Sequence, residues 1–256
     1  DPVSGPDPAG DLDGDSVLDL GEVWVDPETG IRMFSEGEPF NASHRHHSHI
    51  MGLHPFGLQS IRRETDRPVI HATLDRVNEL GTRAWTGYSF SWIACTFARA
   101  GRAEEALRYL DLYVNAFILR NGFHVNGDQI GAGLSRFRYR PFTLEGNFAF
   151  AAGIQEMLIQ SHTGIVRLFP AIPEAWENVK FDQLRTERAF LVSAERKASY
   201  VIRVEIFSEK GGTLKLANPF STQELNFVGS GKYQITNGII ELHAETHDRF
   251  VIEAPK

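Results

Sequence analysis

Phe142-Thr143-Leu144-Glu145-Gly146-Asn147-Phe148-Ala149-Phe150-Ala151-Ala152-Gly153-Ile154-Gln155-Glu156-Met157-Leu158-Ile159-Gln160-Ser161-His162-Thr163-Gly164 is the stretch whose reading decides the fold. It places one carboxylate, Glu145, immediately before a Gly-Asn pair and at the head of a long apolar run. The spacing predicts a helix over 145–161, and residues 136–141 before it read as loop. A carboxylate at such a junction meets exposed N–H groups and the positive end of the helix dipole, which favour its anion. Those are the conditions for a general base or a sugar-binding acid; a helix-capping acid is the plainer alternative.

Working outward, the 44–163 region carries helical periodicity. Ile70, Leu74, Val77 and Leu80 trace one face, stopped by Gly81. Residues 85–100 are apolar nearly all round and stop at Gly101, which predicts a buried helix. Leu107, Leu110, Val114 and Phe117 mark a third. Short loops imply antiparallel helical hairpins, and the 121–142 connection is long enough to carry function.

After Gly164 the period changes from helical to alternating. Ile202, Val204 and Ile206, then Leu214 and Leu216, Leu225 and Phe227, Tyr233 and Ile235, Ile240 and Leu242, and Phe250 and Ile252 alternate with polar residues. Asn237-Gly238 is a hairpin signal. The fold expected is therefore mixed α and β. An acidic, loop-rich segment (1–43) precedes a helical part (44–163), and an antiparallel, sandwich-like β domain (164–256) closes the chain.

Composition limits the partners. The chain has 256 residues, 42% hydrophobic and 23% charged, which is globular. A formal net charge of −7 argues against nucleic acid or anionic membrane and fits a neutral glycan. No apolar run is long enough to span a bilayer. Cys95, the single cysteine, sits in the buried helical run and reads as a core residue.

Three further clusters bear on chemistry. The first is His44-Arg45-His46-His47-Ser48-His49-Ile50-Met51-Gly52-Leu53-His54-Pro55. Arg45 and His46 can donate to sugar hydroxyls, and Arg45 and His49 share a face if the block is helical. So many histidines also raise the question of zinc, although the spacing matches no zinc helix; histidines bonded to backbone carbonyls in a buried turn are the structural alternative. The second is Trp85-Thr86-Gly87-Tyr88-Ser89-Phe90-Ser91-Trp92, where Trp85 beside a helix start is the better platform for a sugar face and Trp92 reads as core. The third is the polar loop His124-Val125-Asn126-Gly127-Asp128-Gln129. In the N-terminal segment, Asp11, Asp13, Asp15, the Val17 carbonyl, Asp19 and Glu22 have the spacing of a calcium loop, with Ser16 in place of the turn glycine. A structural calcium is possible there and no other cofactor is called for.

The His block, the Trp-centred helix and the Gly-Asn-Phe…Gln-Ser-His-Thr-Gly stretch, in this order, resemble the C-terminal half of glycoside hydrolase family 95. The resemblance runs from about His44 to Pro173 and more weakly beyond. It implies an inverting exo-glycosidase on terminal α-L-fucosyl or α-L-galactosyl residues, built on an (α/α)6 barrel followed by a β domain. It implies Glu145 on the base side, where the family has Asp, and sugar contacts from Arg45, His46 and Asn126. A polysaccharide lyase on a similar toroid is another enzymatic reading, and a glycan-binding protein with a degenerate site a non-enzymatic one. The helices here make only about half such a barrel, so the remainder, with the general acid, is expected from an N-terminal half of one longer polypeptide; Glu36 and Glu38 are weak local substitutes. The chain begins at Asp1 without an apolar leader, and a secreted or periplasmic location is favoured.

Overall fold

A computed structural model describes residues 24–254, apart from 221 and 223. Asp11, Asp13, Asp15, Asp19 and Glu22 lie outside the described residues. Among the described residues four α-helices are followed by antiparallel sheets, with one hydrophobic cluster in each part.

The helices are α1 (Asp66–Leu80), α2 (Gly87–Arg99), α3 (Ala103–Phe117) and α4 (Glu145–Leu158). α1 buries Ile70, Leu74 and Val77 and ends at Gly81, whose φ of 66° continues the chain where a side chain would be strained. α2 is buried on almost every side, as its apolar sequence requires. α3 turns its inner face through Tyr109, Leu110 and Tyr113, while Val114, expected on that face, is exposed. Phe97 against Tyr109 and Phe90 against Phe117 fix α2 and α3 as an antiparallel hairpin.

α4 differs from the expected hairpin arrangement. The long connection 118–144 carries the chain back along α3, so α4 runs parallel to α2. Gly153 packs beside Ala94 and Leu110, and Arg99 at the end of α2 meets Glu156 near the end of α4. The 44–65 region, expected to be helical, is loop with one 3-10 turn at Ser48–Ile50.

α4 runs straight into β1 (Ile159–Gln160), which pairs with β2 (Arg167–Leu168). Beyond them, β3 (Val179–Arg185), β4 (Phe190–Lys197), β5 (Tyr200–Ser208), β10 (Arg249–Glu253) and β7 (Asn226–Gly229) form a five-stranded sheet in that order. β6 (Gly212–Ala217), β9 (Ile239–Ala244) and β8 (Lys232–Thr236) form a three-stranded sheet. All pairings within both sheets are antiparallel. Alternate residues point inward: Phe190, Val192 and Ala194 from β4 share one core with Leu214, Leu216, Ile240 and Leu242. Asn237-Gly238, both at positive φ, turns β8 into β9. Among the described residues no helix is long and apolar enough to cross a membrane.

Candidate active site

Helix α4 begins at Glu145, and its carboxylate is exposed in the first turn. Leu144 offers no side-chain cap, and Glu145 is the acidic residue of this first turn, at the positive end of the helix. The backbone enters the helix through Asn147 and Phe148, whose N–H groups donate to Leu144 O at 3.0 and 3.3 Å.

What holds this corner is His124, a residue that sequence reasoning treated as part of a polar loop. Its side chain is fully buried. A Cβ on Gly146 would lie 2.5 Å from His124 Nδ1, and one on Gly87 would lie 2.3 Å from His124 Nε2. The imidazole is thus wedged between the first turns of α2 and α4, and only glycine leaves room for it on either side. The Tyr113 ring covers it at 5.3 Å. The His124 N–H donates to Asn147 Oδ1 at 3.0 Å, and Asn147 Nδ2 donates to Gly122 O. The Asn of the Gly-Asn pair therefore ties the helix to the loop. Burial depresses the His124 pKa against the opposing pull of its Thr143 backbone contact and Glu145, so the ring is neutral.

Asn126 joins the same corner. Its carbonyl accepts from Gly87 N at 3.1 Å, and its Oδ1 accepts from Thr143 Oγ1 at 3.2 Å, two residues before Glu145. Tyr88, in the first turn of α2, has its phenol pushed up by burial, with Cys95 and Glu145 adding to the shift.

The His block reaches α2 from another side. Ser89 Oγ donates to Arg45 O at 3.0 Å, and the Ser89 hydroxyl also accepts from Thr86 N at 3.4 Å. Arg45 and His46 are exposed. Arg45 Nε donates to His46 Nε2 at 3.0 Å, and the Arg45 guanidinium lies 5.9 Å from the Phe137 ring centre. Burial, then Arg45 and His44, depress the His46 pKa, which leaves an imidazole that accepts from Arg45.

Two expected sugar contacts are placed elsewhere. Trp85 is 1% exposed and packs on Phe90 and Tyr109, so it presents no face to a ligand. His49 is buried against Phe34 and Phe40 and does not share a face with the exposed Arg45, because the block is not α-helical. Burial in a part of a protein persists in the whole, so both belong to the core. His47 stacks on Trp92 at 5.7 Å. Burial drives the pKa values of His47, His49 and His54 down to about 3. None of the four ring nitrogens of His47 and His49 has a hydrogen-bond partner among the described residues, so aromatic packing holds these rings in place of the backbone carbonyls expected. Among the described residues, no three His, Cys, Asp or Glu side chains converge as a metal site would need. Glu38 accepts from Ser35 Oγ at 3.1 Å in an exposed turn.

The other end of α4 is different chemistry. Glu156 Oε1 accepts from Arg99 Nη2 at 2.8 Å, with His54 Nδ1 at 3.7 Å. Arg99 Nη1 also donates to Leu53 O and Pro55 O, which ties the end of the His block to the foot of α2.

Comparison with known proteins matches residues 31–158 to the glycosyl hydrolase family 95 catalytic domain and residues 160–252 to the glycoside hydrolase family 95 C-terminal domain. The chain is 29% identical over 190 residues to alpha-L-fucosidase 2 of Arabidopsis thaliana; the match covers 73% of this chain and 22% of that protein's length. A solved family 39 glycoside hydrolase from Bacteroides cellulosilyticus WH2 aligns over 67% of this chain and 32% of its own, with a TM-score of 0.25 and 12% identity, and that likeness carries no argument.

Proposed function

We propose a function from one premise: the chain belongs to glycoside hydrolase family 95. The complete polypeptide hydrolyses glycosidic bonds by inversion, as an exo-enzyme on terminal α-L-fucosyl or α-L-galactosyl residues. The observation that carries this reading is Glu145, an exposed carboxylate on the first turn of α4, with Asn126 bonded to Thr143 two residues before it. Arg45 is anchored through its carbonyl to the neighbouring first turn of α2, and its side chain donates to His46.

In an inverting reaction one carboxylate takes a proton from water while the water oxygen bonds to the anomeric carbon. The anomeric C–O bond breaks on the opposite face, and the leaving oxygen takes a proton from a general acid. Glu145 is the base in this scheme, directly or by polarising an Asn that orients the water. Glu145 is exposed and makes no ion pair among the described residues, so its oxygens are open to a water. Arg45 and His46 hold the sugar hydroxyls. The general acid comes from elsewhere in the longer polypeptide.

The four helices contribute part of an (α/α)6 toroid. Two observations support this. Phe148 on α4 is 66% exposed, a large apolar side chain on a face that water disfavours. The matched relative is also far longer than this chain. The Glu in place of the family's Asp favours a second reading, a glycan-binding protein with a degenerate site.

The experiment is sugar release by the complete polypeptide from aryl α-L-fucosides, aryl α-L-galactosides and fucosylated oligosaccharides, with Glu145→Gln in parallel. Release with an inverted first-formed anomer, lost in the variant, supports the hydrolase. Binding without release from any substrate supports the second reading. An unsaturated product absorbing in the near ultraviolet would replace both with a lyase.

A further inference from the structure

His124 Nδ1 lies 2.6 Å from Thr143 O and 2.8 Å from Thr143 Oγ1. A carbonyl oxygen only accepts, so Nδ1 carries the ring proton and Nε2 is bare. Nε2 is buried against Gly87 and has no partner among the described residues, which fits a nitrogen without a proton to place. The Nδ1–H also points at Thr143 Oγ1, so the hydroxyl accepts there and sends its own proton to Asn126 Oδ1 at 3.2 Å. That contact uses the oxygen end of the Asn126 amide. The nitrogen end, Nδ2, makes no hydrogen bond among the described residues and is left for a ligand.

We infer that His124 is a positioning residue: through Thr143 it sets the Asn126 amide with its N–H groups free, and through Gly146 and Asn147 it places Glu145 on the first turn of α4. The inference rests on the hydrolase reading of Glu145. It assigns Asn126 the role of a donor, to a sugar hydroxyl or to the attacking water. It also assigns roles to Gly87 and Gly146 as the two walls that fix the imidazole. Thr143, a loop residue with no charge of its own, becomes the link by which a buried ring reaches the site. All three residues of the relay lie between 124 and 143, so the connection after α3 is the scaffold of the site and α4 the element it aims.

The test uses the complete polypeptide with Thr143→Val, Thr143→Ser, His124→Asn, His124→Leu and Glu145→Gln. Thr143→Val removes the hydroxyl at nearly constant volume. Its kcat should fall roughly 10- to 100-fold with KM moved less than about threefold, because misplacement of about 1 Å near the reacting atoms has effects of that size. Thr143→Ser should recover the rate to within about threefold, since it returns the hydroxyl. His124→Asn, whose amide N–H can stand where Nδ1–H stood, should keep more activity than His124→Leu. A readout independent of turnover is the ring nitrogen spectrum of histidine-labelled protein, with the His124 signal assigned by its loss in His124→Asn: it should show Nδ1 protonated and Nε2 bare. Parental kcat in Thr143→Val, equal rates in Thr143→Val and Thr143→Ser, or an Nε2-protonated ring would each overturn the relay. If Glu145→Gln is itself as active as the parent, the hydrolase reading of Glu145 fails and the relay falls with it. If Glu145→Gln is inactive while Thr143→Val is not, the relay fails alone.

Discussion

Helix α4 carries two carboxylates, Glu145 in its first turn and Glu156 in its last. About 16 Å of helix separates them at the usual rise per residue. Glu156 has Arg99 at 2.8 Å, a side chain only 15% exposed, and a histidine at the edge of reach. Glu145 is exposed, makes no ion pair among the described residues, and sits at a helix start tied to the preceding loop by His124 and Asn147. A buried carboxylate paired with a guanidinium has its oxygens taken up by that partner. An exposed carboxylate without a partner leaves its oxygens open to a ligand or a water. On the hydrolase reading proposed above, the same residue type on the same helix is structural at one end and chemical at the other, and what it faces makes the difference.

The largest effect that would break this comparison is on catalysis. Glu145→Gln should lower sugar release by the complete polypeptide ~10²–10⁴-fold, the usual range for losing a well-placed acid or base. Glu156→Gln should instead cost stability, because it leaves the Arg99 guanidinium buried without its counter-charge. Removing one partner of a buried pair costs about 3–5 kcal/mol, and chemical denaturation should read it. Next comes Gly146→Ala. Its methyl group would enter the His124 ring, and overpacking of this kind costs about 1–3 kcal/mol; the same change should also reduce activity, since it displaces the turn that carries Glu145. Gly153→Ala, whose Cβ would meet only the flexible end of Leu110 at 3.0 Å, should cost less.

The most gradual effect is that of pH. His54 and His162, at the Glu156 end, have pKa values lowered to about 3, first by burial and then by Arg99; His47 and His49 are lowered to about 3 as well, first by burial. In the unfolded chain each titrates near 6.5. Between these values the unfolded state binds more protons, so stability rises with pH and is lost as pH falls from 6.5 toward 3. Each histidine contributes a slope of up to about 1.4 kcal/mol per pH unit. The thermal midpoint should be flat above pH 7 and fall below 6.5. A midpoint unchanged down to pH 5 would contradict neutral buried histidines.

Much of this fold is legible in the sequence. The apolar stripe of Ile70, Leu74 and Val77, the stop at Gly81, the all-apolar run around Phe90 and the Asn237-Gly238 turn are local patterns, and local sequence sets them. The helix start at Glu145 was equally local. What local sequence does not carry is tertiary. Trp85 beside a helix start reads the same whether it faces a sugar or the core, and only its packing on Phe90 and Tyr109 separates the two. A run of histidines has no period that distinguishes the exposed His46 from the buried His49. The parallel course of α2 and α4 depends on where a long loop returns. His124 was visible only as a polar residue in that loop, because its role arises from Gly87 and Gly146, which are distant in sequence and meet at one ring. The one available signal was the pair of glycines at two helix starts, where a glycine disfavours the helix unless something occupies the space.

The most direct test measures sugar release and thermal midpoint together, in the same preparations of the complete polypeptide carrying Glu145→Gln or Glu156→Gln. The account predicts opposite outcomes: Glu145→Gln loses release and keeps its midpoint, while Glu156→Gln loses its midpoint and, below it, keeps most of its release. Release that survives Glu145→Gln, or a Glu156→Gln protein that is stable but inactive, would contradict the division of labour along α4.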